Sequence, residues 1–500
     1  MPRSVLAIDQ GTTNTKAVLV SETGDVLATA SRAVPIRYPQ PGWVEQDAVE
    51  LWRSVLEAAA ECLAKAGCAA PDAIGISNQR ESAVAWDRRS GEPVGPCVSW
   101  QCRRTAPFCA ELRRNGHEAM LVERTGLAVD PVCSASKMRW LLDYTPDGCR
   151  RAANGEIALG TVDSWLLWNL TGGVAHACDL TNASRTQLLN LNRLGWDAEL
   201  LALFGIPEAA LPALDESSHI YGETGPCGAI PAGLPIGALA GDSHAALFGH
   251  AIFTPGAVKA TYGTGSSLMT ITRAPSWSRG LATTVAWSCK GNTQYGLEGN
   301  IFATGGAVQW VGDFLGLPNP AVDAAKLAAT VSDTAGVYLV PAFTGLGAPY
   351  WNDGARGTLS GLSRGTSAAH AARAAVEAVA FQISDVFQAM EAAAKQSIPE
   401  LLADGGATHN EFLMQFQADI LDRTVVASGN ADVSAIGAAW LAGLATGVWK
   451  SLDTLSALPR TVRRFDPSMA PARRQRLLSG WRDAVRQALT AASAPPGMET

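Results

Sequence analysis

The 500-residue sequence predicts an α/β protein built from two domains that meet across a cleft. Three observations predict it. A short apolar run ends in a glycine-threonine turn twice, at Asp9-Gln10-Gly11-Thr12-Thr13 and at Tyr262-Gly263-Thr264-Gly265-Ser266-Ser267, almost half the chain apart. Around each turn, short strands alternate with amphipathic helices, the pattern of a sheet covered by helices. Finally, this length exceeds what one hydrophobic core usually encloses, so two or three cores are expected.

In chain order, Val5-Leu6-Ala7-Ile8 reads as a buried strand within 4–9. Strands at 16–20 and 26–30 follow across the tight turn Ser21-Glu22-Thr23-Gly24, giving a meander. An amphipathic helix is predicted from about Asp47 to Lys65, then an apolar strand over Ala73-Ile74-Gly75-Ile76. After Asp242 the pattern restarts, with strands near 257–262, 268–272 and 282–287 and a helix near 302–315. A helix from about Ala368 to Ala394 precedes a strand at 400–403 and the turn Asp404-Gly405-Gly406. The arginine-rich stretch Arg460 to Arg486 reads as a solvated C-terminal helix. The boundary falls near 245–255, giving domains 1–248 and 249–500; no low-complexity linker separates them, so they should pack closely around a cleft that can close.

Composition narrows the function. With 47% hydrophobic and 17% charged residues and a net charge of −7, the chain lacks the basic face of a general nucleic-acid binder. No apolar run approaches the ~20 residues that span a membrane. Met1-Pro2-Arg3-Ser4 runs straight into a strand without a secretion-signal pattern, so a cytoplasmic protein is expected. The ten cysteines form no Cys-x-x-Cys pair and no zinc-type set with histidine, as for reduced cytosolic thiols.

The two glycine-threonine turns carry the first chemical reading. Small residues let the backbone approach a ligand and aim several N–H groups one way, which suits phosphate oxygens. Two facing copies can hold two parts of one triphosphate, and Asp9 stands where a magnesium ion would sit. Either turn alone is more simply a β-turn.

These turns, Asp404-Gly405-Gly406 and Gly361-Leu362-Ser363-Arg364-Gly365 form part of a longer set. In order, the chain also carries Pro41-Gly42-Trp43-Val44-Glu45, Ser77-Asn78-Gln79-Arg80-Glu81, Trp100-Gln101-Cys102-Arg103-Arg104, Thr181-Asn182-Ala183-Ser184-Arg185, Gly241-Asp242 and Pro341-Ala342-Phe343-Thr344-Gly345-Leu346-Gly347-Ala348-Pro349-Tyr350-Trp351. Nearly the whole chain thereby resembles the FGGY carbohydrate kinases, most of all the glycerol kinases among them. The resemblance implies two ribonuclease-H-like (actin-like ATPase) domains, ATP and Mg2+ bound between them, a small-molecule polyol as acceptor, and a homo-oligomer (dimer or tetramer).

It also implies roles. Asp242 matches the catalytic aspartate, the base for the acceptor hydroxyl, and shares the magnesium site with Asp9, which acts through water. Thr12, Thr13, Asn14 and Lys16 match phosphate contacts in the first loop, and Thr264 faces the same phosphates from the second. Gly305, Gln309, Gly406 and Asn410 match nucleotide contacts, although Asn410 also suits a helix N-cap and Lys16 a solvent-facing strand lysine. Arg80 and Glu81 match a polyol-binding pair that donates to and accepts from vicinal hydroxyls, and Trp100 matches a ring that covers the carbon chain.

At three acceptor positions the chain departs from the glycerol kinases. Val132 stands where they carry tyrosine, Ser243 replaces a glutamine beside Asp242, and Ser267 replaces a phenylalanine. The expected activity is ATP-dependent phosphorylation of a terminal hydroxyl of a small polyol, glycerol kinase-like; the alternative is a longer four- or five-carbon polyol or ketose. The segment Tyr221 to Ala240 also lacks the glycine-rich basic loop that resembles a fructose 1,6-bisphosphate site in some of them, so no such inhibition is expected. Two readings from other classes remain: a nucleotide-binding module without transfer activity, which would not need Arg80, Glu81, Trp100 and Asp242 together, and an esterase centred on Gly241-Asp242-Ser243-His244. P-loop and protein-kinase motifs are absent.

Overall fold

A computed structural model describes residues 3–68 and 70–491; Met1 and Pro2, part of the N-terminal start considered above, lie outside them. Two sheets with the same central arrangement of strands form the framework. In the first, the strands run in the order Ile236–Gly241, Ala73–Asn78, Ser4–Gln10, Asn14–Ser21, Val26–Ala33. The last three are antiparallel neighbours and the first two continue the sheet in parallel. In the second, Asn292–Ile301, Ser266–Thr272 and Ala257–Tyr262 repeat the antiparallel trio, and Glu400–Asp404 and Thr424–Ser428 add the parallel pair. Edge strands Ala282–Cys289 and Val462–Phe465 extend it on either side. The fold is α/β, a duplicated ribonuclease-H-like (actin-like ATPase) architecture.

Local chemistry explains the first unit. Ser4–Gln10 is covered on both faces, which is why it reads as an unbroken apolar run rather than an alternating one. The helix Ala48–Ala66 starts at Asp47, whose carboxylate accepts from the Val49 and Glu50 N–H groups, and ends at Gly67 in the left-handed conformation. Its apolar stripe of Leu51, Val55, Ala58, Ala59 and Cys62 packs with Leu6, Ile8, Ile74 and Ile76 of the sheet.

One core joins the two sheets. The helix Asp242–Gly249 leaves strand Ile236–Gly241 directly, and its Ala245, Leu247 and Phe248 pack with Ala435, Ile436 and Ala439 of the helix Val433–Thr446. The same core takes in Val5 and Val18 from the first sheet and Met269 and Ile271 from the second. A residue at the start of either helix therefore sits at the joint between the sheets.

Two expectations are corrected. The second unit is not a simple repeat of the meander: the strand near 282–287 is an outer edge, and the inner position belongs to Asn292–Ile301, which the sequence reading left out. The arginine-rich stretch is not one helix. Val462–Phe465 forms the edge strand, and only Pro471–Ala491 is helical, with Trp481, Val485 and Ala488 buried against the second domain. Among the described residues no helix is long and apolar enough to cross a membrane, and all ten cysteines are unpaired thiols.

Candidate active site

The residues expected to bind the acceptor gather where strand Ala73–Asn78 ends. Beyond it the chain turns sharply: the Ser82 N–H donates to the Arg80 carbonyl at 2.8 Å, and Glu81 takes a left-handed φ of 64°. Such a conformation is costly for glutamate and persists only where its surroundings hold it. Here the Arg185 Nε donates to the Glu81 carboxylate at 2.7 Å and the Ser134 hydroxyl to its carbonyl at 3.1 Å. Arg80 lies across Gly241, where a Cβ would come within 2.6 Å of its side chain. From there its Nε donates to Asp242 Oδ1 at 3.0 Å and its Nη1 to Glu298 Oε1 at 2.5 Å.

Glu298 is a member of this cluster that the sequence reading did not include. It comes from strand Asn292–Ile301, has no solvent exposure, and lies between Arg80 and the Arg185 guanidinium, whose Nη1 is 3.1 Å from Oε2. Burial opposes its charge, but Arg80 and Arg185 outweigh burial and hold the carboxyl well below the ordinary range. In turn Glu298, Glu81 and Asp242 outweigh burial of Arg80 and raise its pKa. The result is a buried alternation of charge, Glu81–Arg185–Glu298–Arg80–Asp242, that fixes the acceptor-side residues of the first domain against a strand of the second.

Asp242 ends this chain with its side chain 40% exposed. Its Oδ1 accepts from Arg80 and from the Ser243 N–H at 2.6 Å, whereas no partner for Oδ2 is found among the described residues. Next to it, the Ser243 hydroxyl donates to the Ser267 hydroxyl at 2.9 Å, which donates to Glu298 Oε1 at 3.0 Å. Trp100 is half-exposed, and its indole N–H donates to the Thr12 hydroxyl at 2.9 Å, tying acceptor side to first loop. Val132 is held through its backbone: its N–H donates to Asp130 and its carbonyl accepts from the buried Lys137 ammonium. His244 turns away from Ser243 and bonds Thr284 at 3.1 Å, so the adjacent pair lacks the base-to-hydroxyl contact an esterase needs.

On the phosphate side, the first loop closes through the Gly11 N–H to the Asn14 carbonyl at 2.9 Å, leaving Thr13 and Asn14 exposed. Asp9 lies at the end of its strand and accepts from the Ser77 hydroxyl at 2.9 Å. Burial, with the nearby Asp242 carboxylate adding repulsion, pushes its pKa up to about 6. Lys16 is neither free nor simply solvated. Its ammonium pairs with Asp432 at 2.8 Å across the joint, and this partner outweighs burial to raise its pKa. Nothing in the sequence near Lys16 signalled that contact, which spans more than four hundred residues.

The second loop lies against the other predicted nucleotide positions. The Gly305 N–H donates to the Gly263 carbonyl at 3.0 Å, and the Thr264 carbonyl accepts from Gly306 at 2.9 Å. Gly405, at φ 94°, abuts Tyr262 so closely that a Cβ would come within 2.4 Å of its carbonyl. Gly406 follows with open space around it. Asn410 is the N-cap of the helix Glu411–Leu421, its side chain accepting from the Leu413 N–H at 3.1 Å. Gln309 is exposed, with Asp313 3.3 Å away. A cavity of about 870 Å³ elsewhere, lined by His250, Trp440 and Arg460 among others, includes none of the predicted site residues.

Family models now meet this geometry. The FGGY carbohydrate kinase N-terminal domain matches residues 4–249 and the C-terminal domain residues 258–446. The chain belongs to the FGGY carbohydrate kinases. It is therefore an ATP-dependent kinase. This FGGY kinase is 49% identical to a glycerol kinase of Chromobacterium violaceum, covering 97% of both chains. It is 48% identical to an apulose kinase of Pectobacterium atrosepticum, covering 97% of this chain and 98% of that one. A solved Plasmodium falciparum glycerol kinase with ADP superposes with a TM-score of 0.91 at 31% identity, covering 98% of each chain.

Proposed function

We propose that this FGGY kinase transfers the γ-phosphoryl group of ATP to a terminal hydroxyl of a small polyol, a glycerol kinase-like reaction, with Asp242 as the base. The observation that carries it is the Asp242 carboxylate: Oδ1 is anchored by Arg80 and Ser243 while Oδ2 has no partner among the described residues, next to both phosphate-loop candidates. A fixed oxygen with its second partner free can take a hydroxyl proton as the oxygen attacks phosphorus.

Arg80, Glu81 and Trp100 would hold the acceptor, with Val132, Ser243 and Ser267 as its walls. Thr12, Thr13, Asn14, Lys16 and Thr264 would contact the phosphates, and Gly305, Gln309, Gly406 and Asn410 the nucleoside, across domains 1–248 and 249–500. Two mutually repelling carboxylates, Asp9 and Asp242, suit a divalent cation held partly by water and phosphate. Mg2+ bound there would neutralise charge on the phosphates during transfer. A cytoplasmic homo-oligomer belongs to the same reading.

A second reading has its own observation. Ser243 and Ser267 are hydrogen-bonded into a polar wall where the glycerol kinases carry glutamine and phenylalanine, which favours an acceptor longer than glycerol. Relatives at nearly equal identity include a glycerol kinase and an apulose kinase, so overall similarity does not choose between them. A coupled ADP-release assay with Mg2+ tests the common core: ADP release strictly dependent on added polyol supports the function, and polyol-independent hydrolysis refutes it.

A further inference from the structure

The direction of the hydrogen bonds along the Ser243–Ser267 wall carries information about the acceptor, given the polyol-kinase reading above. The wall begins at Lys259, on strand Ala257–Tyr262, which is fully buried and has no carboxylate within ion-pair distance among the described residues. Its ammonium donates to Ser243 Oγ at 3.2 Å, its one hydrogen bond there. An ammonium only donates and an ionised carboxylate only accepts. Because Glu298 only accepts, the two hydroxyls between it and Lys259 have no choice of direction. Ser243 accepts from Lys259 and donates to Ser267; Ser267 accepts from Ser243 and donates to Glu298.

Each hydroxyl has one proton and two lone pairs. Both protons are spent inside the wall, and each oxygen keeps one lone pair. Ser267 is partly exposed, and Ser243 follows the Asp242 carboxylate. The wall can therefore accept hydrogen bonds from a ligand and cannot donate any. A ligand carbonyl or carboxylate would meet the Ser267 lone pair with the buried Glu298 carboxylate behind it. A ligand hydroxyl at the partly exposed Ser267 would meet an acceptor.

We infer that the acceptor of this kinase is a polyol longer than glycerol, a tetritol or pentitol, whose hydroxyl beyond the third carbon donates to the Ser243–Ser267 wall, and that Lys259 is a positioning residue that holds the Ser243 hydroxyl in that wall. The wall discriminates against acceptors that place a carbonyl or carboxylate there. A hydrogen-bonding site rejects an analogue lacking the hydroxyl because its own polar atoms are left unpaired.

The test compares kcat/KM of the full-length enzyme for glycerol, erythritol, both threitols, ribitol, butane-1,2,3-triol and erythronate. The expected result is a tetritol or pentitol favoured over glycerol by roughly tenfold or more, with butane-1,2,3-triol and erythronate losing that advantage. Ser267→Ala should collapse the longer-polyol-to-glycerol ratio. Lys259→Met should raise KM for the longer polyol with KM for ATP unmoved, and Lys259→Arg should restore part of the loss. Glycerol preferred over every longer polyol, erythronate matching erythritol, or Ser267→Ala leaving the ratio unchanged would overturn the inference while leaving the kinase reading intact. Lack of polyol-dependent turnover with any of these acceptors would overturn both.

Discussion

Replacing Glu298 with glutamine keeps the shape of the side chain and removes the charge that faces two buried guanidinium groups. In the native protein its Oε1 accepts from Arg80 at 2.5 Å and from Ser267 at 3.0 Å, while Oε2 lies 3.1 Å from Arg185. Removing one member of a buried ion pair costs about 3–5 kcal/mol, because the partner's charge stays desolvated. Arg80 keeps Asp242 and Arg185 keeps Glu81, and the glutamine oxygen can still accept one bond, so the expected loss is near the low end, about 3 kcal/mol. Urea unfolding at neutral pH should show it as a lower midpoint. The sign in acid is also fixed: a carboxyl whose folded pKa is depressed stabilises above its unfolded pKa and loses that contribution as pH falls. The gap between wild type and Glu298→Gln should therefore narrow below about pH 4. In the same variant kcat/KM for the acceptor should fall, since Arg80 loses its anchor. A stability loss under about 1 kcal/mol with unchanged acceptor kinetics would refute the charge-alternation argument.

Other consequences are equally concrete. Asp9→Asn removes a carboxylate whose pKa sits near 6, so at pH 7 it should stabilise the apo-protein by about 1–3 kcal/mol, while Mg2+-dependent activity drops roughly 100-fold. Because the folded pKa is raised, the wild-type apo-protein should gain stability from this group as pH falls from 7 through 6 toward 4, and urea midpoints of the variant should lack that component. Gly405→Ala places a Cβ within 2.4 Å of the Tyr262 carbonyl at φ 94°, and should cost on the order of 3 kcal/mol and weaken nucleotide binding measured by calorimetry. Lys16→Met should raise KM for ATP roughly tenfold and leave KM for the acceptor within error.

What the sequence made legible was local. The strand Ser4–Gln10, the turn at Gly24, the capped helix after Asp47 and the long helix Ala368–Ala394 are each specified by residues that touch one another along the chain. Strand Asn292–Ile301 was not. It opens with Asn-Thr-Gln and is interrupted by Gly296 and Gly299, which weaken the apolar pattern of a strand, although the Lys290-Gly291 hairpin turn before it, with both φ positive, offered a signal. That omission removed Glu298 from view. Arg185 was visible within its motif but without a role, because its partners Glu81 and Glu298 lie about a hundred residues away on either side. Asp432 was hidden for the same reason: pairing across the joint with Lys16 is a property of the folded duplication, and local periodicity does not encode it. By contrast Asn410 was correctly given a capping alternative, and it is the N-cap. The serine wall was legible as two substitutions; its hydrogen-bond direction needed the buried carboxylate of Glu298.

The most direct test of the central claim is Asp242→Asn, assayed by ³¹P NMR for a new phosphomonoester formed from ATP, Mg2+ and the best polyol. Asn retains the Oδ1 acceptor for Arg80 and Ser243, and the side chain is substantially exposed, so the urea midpoint should stay close to wild type. The expected result is phosphomonoester in the wild type and a rate roughly 10³-fold lower in the variant. Full phosphomonoester formation by a folded Asp242→Asn protein, or release of inorganic phosphate alone by the wild type, would contradict it.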